Sequence, residues 1–357
     1  MKNDIELFTE FYSNVKQGLE NVINNFNSEL LIDKKGYLKD NLELFCDLNK
    51  EGKLIRGFLV ALGYKLAKEE NIEYSYPLAH AYELFQTSVL IHDDVIDEDN
   101  LRRGKDTIHY GFYKNNKDYN DSLAKKIGDS VATCVGDYGF FEANKELIKY
   151  YKNDPNFAKV LDYYNDVVLK TIEGELIDVV LSFDGRYKYK DVNLSENIMT
   201  IYRLKTAFYT IIGPLNLGLI LGGIDGDKLK DIEQFGEKVG ISFQIQDDIL
   251  GIYNDMGKVI GSDIREFKQT ILYSYTVENS DYKDELLKYY GKEDITDYDI
   301  EMVREIFKKS GAYDYAYNMM NNYYNESLMI LDSIEWINQD SKNIIKGFIE
   351  FLRRRNK

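Results

Sequence analysis

Residues 90–104 read LIHDDVIDEDNLRRG, an apolar opening followed by acidic residues, two arginines and a glycine. On a helix, Asp93 and Asp97 lie four residues apart on the same face. Two carboxylates this close repel each other unless a cation lies between them. Arg102 and Arg103 follow directly and suit an anion. The stretch therefore predicts a metal ion held by carboxylates beside an anion, the combination that a diphosphate group requires.

The composition predicts a helical globular chain. It has 357 residues, of which 44% are hydrophobic and 30% charged, and only 3 are prolines. So few prolines over long periodic segments favour an all-α fold. The length allows one large domain or two ordinary ones. No linker, repeat or shift in composition divides the sequence, so a single domain over residues 1–357 is expected.

The charge and the cysteines limit the partners and the compartment. The formal net charge is −16, which argues against nucleic acid as a partner, because binding phosphate backbones needs a basic surface. Cys46 and Cys134 show no metal spacing, so buried thiols in a reducing cytoplasm are expected. The first six residues carry no apolar signal region. The apolar run 210–223 is too short, and too interrupted by Pro214, to be expected to span a bilayer.

The helix that carries the acidic stretch is predicted to start at Pro77. Counting back from Asp93 places Gln86 and Val89 on the same stripe as Asp97. A polar amide and an apolar side chain on the face of the acids suggest a pocket that is polar at its mouth and apolar below. The alternative is a buried helix with one satisfied glutamine.

Two cations precede the apolar helix predicted over 58–67. Lys53 and Arg56 lie three residues apart at its entrance. Cations are unfavourable at a helix N-terminus, which attracts anions. They indicate a bound anion, with ordinary surface cations as the alternative.

A second acidic segment, FQIQDDILG over 243–251, repeats the pattern of an apolar helix that ends in paired aspartates. The loop 257–268 then supplies Lys258 and Lys268. It is not a nucleotide-binding P-loop, because the glycine spacing is wrong and Val259 stands where Ser or Thr should follow the lysine.

Taken in order, these segments resemble the trans-isoprenyl diphosphate synthases, or polyprenyl synthetases. The matching motifs are Gly52-Lys53 with Arg56, Gln86, Asp93-Asp94-Val95-Ile96-Asp97 with Arg102-Arg103-Gly104, Gly136-Asp137-Tyr138, Lys205-Thr206, Phe243-Gln244 with Asp247-Asp248, and Gly257-Lys258 with Gly261, Asp263 and Lys268. The resemblance implies an all-α domain of long antiparallel helices around a central catalytic cavity, usually as a homodimer. It also implies Mg²⁺-dependent, head-to-tail joining of an allylic diphosphate to isopentenyl diphosphate.

The resemblance further assigns three Mg²⁺ ions, two to Asp93 and Asp97 and the third to Asp247. Additional candidate ligands are Asp94, Asp248 and Asp263. The residues implied to contact the allylic diphosphate are Arg102, Lys205 and Lys258, with Lys268 as a further substrate-binding cation. Those implied to hold isopentenyl diphosphate are Lys53, Arg56, Gln86 and Arg103. Thr206 and Gln244 would face the developing allylic cation, and Arg353 to Arg355 are candidates for a basic C-terminus that closes over the site.

Three positions depart from the family pattern. Gly251 stands where many relatives have a third aspartate, so the third metal would depend more on Asp247, Asp248 and water. Glu175 stands where relatives often have Gln, and Phe267 where they often have Gly. None of these removes a residue expected to contact metal or substrate, so activity is still expected.

Product length depends on the depth of the pocket before Asp93. A bulky aromatic four or five residues earlier would stop the prenyl tail early, but Val89 and Ser88 stand there. Phe85, one turn deeper, or Phe140 and Phe141 on a facing helix, would stop it later. A C20 product is therefore favoured over C15.

Two other functions compete with this interpretation. A terpene cyclase of the same helical class would share the first acidic motif, but it has no use for the cations Lys53, Arg56 and Arg103. A silent regulatory subunit of a synthase typically lacks one of the aspartate motifs, and both are present. Each alternative predicts a different requirement for isopentenyl diphosphate.

Overall fold

The computed structural model describes residues 2–187, 194–253, 261–292 and 294–354, and within these ranges the chain is almost entirely helical, which confirms the all-α class. The helices are α1 Asp4–Leu31, α2 Gly36–Lys50, α3 Ile55–Ala67, α4 Tyr76–Ile96, α5 Ile108–Asn116, α6 Asp121–Tyr151, α7 Phe157–Tyr187, α8 Leu194–Ile201, α9 Gly213–Leu221, α10 Asp227–Tyr253, α11 Ser262–Arg265, α12 Ile271–Asn279, α13 Lys283–Leu286, α14 Asp297–Lys309, α15 Ala312–Ser333 and α16 Gln339–Arg353.

Three elements interrupt this pattern. A 3₁₀ turn covers Ile72–Ser75, a π-helix covers Tyr202–Ile212, and a small antiparallel hairpin pairs β1 (Leu101–Arg102) with β2 (Lys105–Asp106). The sequence predicted none of them. The hairpin lies directly after the first acidic motif and the π-helix contains Lys205, so both elements occur at predicted functional residues.

The chain forms two compact units, each assembled from separate stretches of sequence. The N-unit contains Thr9–Asn165 and Gly213–Leu229, and the C-unit contains Met1–Phe8, Asp166–Ile212 and Lys230–Lys357. The first acidic motif belongs to the N-unit and the second to the C-unit. A single domain over the whole chain remains a prediction.

In the N-unit, α4 and α6 approach each other closely. A Cβ at Gly136 would collide with the His92 imidazole, and one at Gly139 would collide with the Ser88 hydroxyl. These glycines let the backbone of α6 lie against the face of α4 that precedes the acids. The motif Gly136-Asp137-Tyr138 therefore serves helix packing here, and Asp137 Oδ1 also lies 3.3 Å from His92 Nε2.

In the C-unit, α10 is fixed against its neighbours by buried polar contacts. The Ser242 hydroxyl donates to the Met320 carbonyl (2.8 Å), and the Tyr324 hydroxyl donates to the side-chain oxygen of Gln246 (3.0 Å). Buried polar groups that are paired in this way fix the rotation of a helix. The same helix carries Gln244, Asp247 and Asp248.

Two expectations from the sequence need adjustment. Cys46 is buried as expected, but Cys134 is exposed, because the helical period of α6 turns it away from the packed face that Gly136 and Gly139 define. The apolar run near 210–223 belongs to a longer helical stretch, Leu194–Leu221, that is long and apolar enough to cross a membrane by length and composition. Of its most apolar window, 83% is buried inside the protein, as in the core helix of a folded chain.

Candidate active site

The C-terminal turn of α4 carries the first acidic motif. The helix ends at Ile96, but the amide of Asp97 still donates to the carbonyl of Asp93 (2.8 Å), so the helical register continues through Asp97. Both side chains are partly exposed, whereas Asp94 between them is buried. The predicted spacing of Asp93 and Asp97 along one face is therefore present.

Arg102 lies against the acids of α4. Its Nε donates to Asp94 Oδ1 (2.5 Å), its Nη2 donates to Asp93 Oδ2 (3.1 Å), and Asp99 Oδ2 lies 3.6 Å away. Burial raises the pKa of Asp94 to about 7, although the Arg102 charge opposes this rise. One guanidinium thus holds a cluster of three carboxylates that would otherwise repel each other.

The hairpin after α4 explains how two adjacent arginines separate. Arg102 lies in β1, paired with Lys105, while Arg103 and Gly104 form a two-residue loop with φ of 53° and 78°. Positive φ at both loop residues is typical of a type I′ turn, which favours Asn-Gly or Asp-Gly. An arginine is unusual there, and its place at the tip directs it away from the acids that Arg102 contacts.

The loop before α3 lies against the Arg103 side chain. Gly52 has φ of 117°, and a Cβ there would lie 2.9 Å from Arg103 Nη2. Leu54, also left-handed at φ 49°, is the N-cap residue of α3, which begins at Ile55, so Arg56 lies in the first helical turn. The fold thus brings the segment that carries Lys53 and Arg56 against Arg103.

Gln86 and the residues near it line the stripe that leads away from the acids. The side-chain oxygen of Gln86 is buried and has no hydrogen-bond partner within the described ranges. Val89 is partly exposed, whereas Ser88 is fully buried and its hydroxyl donates to the Leu84 carbonyl (3.0 Å). Of these side chains, Val89 and Gln86 are the ones accessible to a ligand.

An aromatic cluster lies one turn deeper than Ser88. The Phe85 side chain is fully buried, with ring centroids of Tyr82, Phe140 and Tyr164 at 5.5, 5.8 and 5.9 Å. Phe141, the other phenylalanine proposed on the facing helix, is 72% exposed and takes no part in the cluster. The reason is the helical period of α6, which turns neighbouring residues in different directions.

In the C-unit, the cations of the predicted site are held by carboxylates on α7. Lys205 Nζ lies 2.7 Å from both Glu175 Oε2 and Asp178 Oδ2, and Lys268 Nζ lies 3.5 Å from the same Asp178 oxygen. From the sequence, Glu175 is only a departure from the family pattern, and Asp178 has no predicted role. The contact between Asp178 and Lys205 joins two separate helices, so residue spacing along one helix does not predict it.

The second acidic motif is built around Asp248. Its carboxylate accepts hydrogen bonds from the Tyr202 hydroxyl and from Gln244 Nε2 (2.8 Å), and the Thr206 hydroxyl donates to Gln244 Oε1 (2.5 Å). Burial raises the pKa of Asp248 to about 8, against the lowering effect of these hydrogen bonds. Asp247 is partly exposed beside this network.

Gly251, the main departure from the family pattern, has a neighbour that explains it. A Cβ at Gly251 would lie 2.7 Å from Asp263 Oδ2. Asp263 therefore brings its carboxylate to the place where a side chain at position 251 would begin. Lys258 and Arg355, also predicted for the site, lie outside the described residues. Arg353 accepts a hydrogen bond through its carbonyl from Gln246 (3.2 Å), and Arg354 pairs with Glu350 (2.7 Å).

The donor set of the first motif fits Mg²⁺. Asp93 and Asp97 offer carboxylate oxygens, the ligands that this ion prefers. Across the described ranges, no group of three or more His, Cys, Asp or Glu side chains could hold a metal ion by itself. Mg²⁺ is usually bound by one or two carboxylates together with substrate phosphates and water, so no such group is needed for an ion that arrives with a diphosphate.

Comparisons with known proteins identify the family. The polyprenyl synthetase family model matches residues 39–308. The chain is 31% identical over 349 residues to a geranylgeranyl diphosphate synthase of Saccharolobus solfataricus, covering 94% of this chain and 96% of that one. It is 26% identical over 317 residues to a farnesyl pyrophosphate synthase of Zea mays, covering 86% and 85%.

Among solved structures, a geranylgeranyl pyrophosphate synthase of Corynebacterium glutamicum, complexed with isoprenyl diphosphate and magnesium, superposes with a TM-score of 0.86 at 25% identity. The match covers 98% of this chain and 99% of that one. The family match and these relatives identify a prenyltransferase. The chain belongs to the polyprenyl synthetase family.

Proposed function

We propose that the protein joins an allylic diphosphate to isopentenyl diphosphate, head to tail, by Mg²⁺-assisted ionisation. The products are an all-trans short-chain prenyl diphosphate, with C20 favoured, and diphosphate. The observation that carries this proposal lies in the N-unit. Asp93 and Asp97 at the end of α4 are followed by a hairpin whose tip brings Arg103 against the segment that carries Lys53 and Arg56. One unit thus carries two carboxylates and, apart from them, a segment with the cations proposed for the second substrate.

Each group has a distinct task in this reaction. When bound, Mg²⁺ supplies positive charge that stabilises the departing diphosphate. In the proposal three ions are held, by Asp93 and Asp97 on one motif and by Asp247 on the other. Arg102, Lys205 and Lys258 add positive charge for the same leaving group.

The second substrate binds through its own diphosphate. Lys53, Arg56 and Arg103 supply the positive charge, and the partly exposed Gln86 would donate a hydrogen bond from its side-chain amide to an oxygen of that diphosphate. Thr206 and Gln244, which are hydrogen-bonded to each other, present oxygen atoms to the developing allylic cation. The final proton is taken by the bound diphosphate, so no histidine or serine is required as a base or nucleophile.

A release assay tests the reaction against its competitors. The protein is incubated with Mg²⁺ and an allylic diphosphate, and diphosphate release is measured with and without isopentenyl diphosphate. Release that requires both substrates supports the synthase. Release from the allylic substrate alone supports a cyclase, and no release under any condition supports a silent subunit.

Product length is tested with C5, C10 and C15 allylic primers. Val89 is partly exposed one turn of α4 after Phe85, and the buried Phe85 ring packs against the partly exposed Phe140. A C20 end product is expected, and C15 as the sole end product would contradict the proposal. Phe85→Ala should lengthen the product, whereas Phe348→Ala, which removes an equally buried ring on α16, should not.

The proposed active form is a homodimer, as the family implies. On α6, the exposed residues Ile127, Cys134, Phe141 and Ile148 recur every seven residues, which places them on one face of the helix. Such a stripe is suited to a helix of a second copy. Sedimentation of Phe141→Asp should give monomers, while Tyr119→Asp, at a position 90% exposed just before α6, should sediment like the unmodified protein.

A further inference from the structure

Glu83 is a buried carboxylate that lies beside the cation cluster and has no role in the reaction described above. It is on α4, three residues before Gln86, and its side chain is 6% exposed. Its Oε1 accepts a hydrogen bond of 2.7 Å from the backbone amide of Gly57. Gly57 directly follows Arg56 in the first turn of α3, so the carboxylate is anchored to the residue beside a substrate-binding cation.

A negative charge beside these cations opposes the binding of an anion, so the presence of a carboxylate here indicates a compensating role. Burying an ionised carboxylate is costly, and its negative charge opposes a diphosphate that binds nearby. Burial raises the pKa of Glu83, whereas the Gly57 amide and the charges of Arg56 and Arg103 lower it. Both arginines therefore lie within electrostatic reach of the carboxylate.

The local structure shows what the carboxylate contributes. The first amides of a helix have no partner within the helix, and the N-cap residue of α3, Leu54, offers no side-chain cap. Glu83 supplies that acceptor from a neighbouring helix. A Cβ at Gly57 would lie 3.2 Å from Glu83 Cγ and 2.8 Å from Leu19 Cδ1, so a glycine there allows this close approach.

The carboxylate also balances two like charges. Arg56 and Arg103 repel each other when no anion is bound. Burial lowers the pKa of Arg103, and the charges of Arg102 and Arg56 lower it further. Glu83 and Glu51 act in the opposite direction on Arg103, and Glu51 Oε2 lies 3.9 Å from Arg103 Nη1. Glu51 is on the loop before α3 and Glu83 is on α4, so the cluster is balanced from two elements.

We propose that Glu83 is a positioning residue of the isopentenyl diphosphate site. It holds the first turn of α3 and keeps the guanidinium groups of Arg56 and Arg103 together before the substrate binds. The inference rests on the proposed function, because it takes the ligand of these cations to be the diphosphate of isopentenyl diphosphate. Preorganised groups of this kind raise affinity by reducing the cost of ordering them.

The test is Glu83→Gln, which keeps an oxygen acceptor for the Gly57 amide but removes the charge. The KM for isopentenyl diphosphate should rise about tenfold, the size expected for losing a charge-assisted contact. The kcat and the KM for the allylic substrate should change less than about threefold on the same scale. Glu146→Gln, at a buried glutamate of α6 that is 4% exposed, is the matched control and should leave both KM values unchanged.

Two other roles of Glu83, capping α3 alone or repelling the ligand, predict different changes in the KM for isopentenyl diphosphate. An unchanged KM for isopentenyl diphosphate in a folded variant would mean that Glu83 only caps α3, and a lower KM would mean that it only repels the ligand. Either result overturns the proposal. If Glu83→Gln does not fold, as judged by circular dichroism, Glu83→Asp keeps the charge one methylene further back. This variant should still raise the KM for isopentenyl diphosphate selectively. The absence of a selective rise would overturn the proposal.

Binding without turnover separates this inference from the proposed function. If the unmodified protein makes no prenyl product, the proposed function fails, and the affinity for inorganic diphosphate is then compared by calorimetry in the unmodified and Glu83→Gln proteins. A tenfold weaker affinity in the variant supports the positioning role, on the scale used above. Equal or tighter affinity contradicts it.

Discussion

Asp93-Asp94 near the end of α4 and Asp247-Asp248 near the end of α10 are built alike but neutralised differently. In each pair the first aspartate is partly exposed and the second is buried. The buried Asp94 pairs with the Arg102 guanidinium, a permanent cation. Among the described residues, the donors to the buried Asp248 are neutral, the Tyr202 hydroxyl and the Gln244 amide.

The charge of the partner decides how much of the burial penalty of each buried aspartate is offset. A guanidinium offsets the charge of Asp94, whereas hydroxyl and amide donors leave more of the burial penalty of Asp248 uncompensated. Burial raises both pKa values, that of Asp94 to about 7 against the Arg102 charge and that of Asp248 to about 8 against its hydrogen bonds from Tyr202 and Gln244. The partly exposed member of each pair, Asp93 or Asp247, is the proposed metal ligand.

The largest expected effect is on catalysis and distinguishes the two exposed aspartates. Asp93→Ala should lower kcat by about two to three orders of magnitude, as expected when stabilisation of a leaving-group charge is lost. The loss of kcat in Asp247→Ala should be at least about tenfold smaller, because the proposal assigns one ion to Asp247 and two to Asp93 with Asp97. Steady-state kinetics at saturating Mg²⁺ measure both.

The control for this pair is Asp162→Ala, which removes an exposed aspartate of α7 outside either motif. Its kcat should match that of the unmodified protein. Equal losses in Asp93→Ala and Asp247→Ala would contradict the assignment of more metal-binding capacity to the first motif.

The next effect is on stability and concerns the partners of the buried aspartates. Arg102→Gln leaves Asp94 buried without its cation and should lower the free energy of unfolding by about 3 kcal/mol, the low end for breaking a buried ion pair, because Asp94 can take up a proton. Tyr202→Phe removes a neutral donor and should cost about 1–2 kcal/mol. Urea unfolding followed by circular dichroism gives both values, and a larger loss for Tyr202→Phe would reverse the comparison.

A smaller effect concerns Gly251, where the second motif lacks the carboxylate that Asp97 supplies in the first. Gly251→Asp should lower kcat about tenfold, because the new carboxylate meets that of Asp263 and a repulsion of about 1.4 kcal/mol has this effect. Asp263→Ala should lower it similarly if Asp263 substitutes for the missing acid. The double variant should recover most of the activity.

Gly251→Ala is the matched control for that experiment, since it introduces the Cβ without the charge. It should fall between the unmodified protein and Gly251→Asp. Losses that simply multiply in the double variant would show that Asp263 and position 251 do not replace each other.

The helices could be predicted from the sequence because their apolar residues recur with the helical period. α4 begins at Tyr76, one residue before the predicted Pro77, and α3 ends at Ala67 as predicted. α3 begins at Ile55 instead of Phe58, since its N-cap is a left-handed leucine that carries no capping signal. The sequence does not predict the hairpin, because Arg103 occupies a loop position with positive φ where glycine or asparagine is normally found.

The acids and cations of the site could be predicted from motif spacing, but their partners could not. Asp178 reaches Lys205 from a helix 27 residues away, and Tyr202 reaches Asp248 across 46 residues. Contacts between separate helices depend on packing, which the spacing along one helix does not encode.

The smallest effect is the pH dependence of stability, measured without metal in the presence of a chelator. Both buried aspartates have a higher pKa in the folded chain than the ordinary value of 3.8, so the folded state holds more protons than the unfolded state above about pH 4. Stability should therefore fall as pH rises, up to about 7 for Asp94 and about 8 for Asp248. Below pH 4 neither group contributes a slope.

Asparagine variants separate the two contributions. Asp248→Asn mimics the protonated carboxyl, so its melting temperature should fall less than that of the unmodified protein between pH 5 and pH 8. Asp94→Asn should remove only the part of the slope below about pH 7. Asp162→Asn, at an exposed position, should follow the unmodified protein throughout. If Asp248→Asn runs parallel to the unmodified protein, Asp248 is already ionised in the folded state, and the contrast between a cation-paired and a neutral-paired aspartate is wrong.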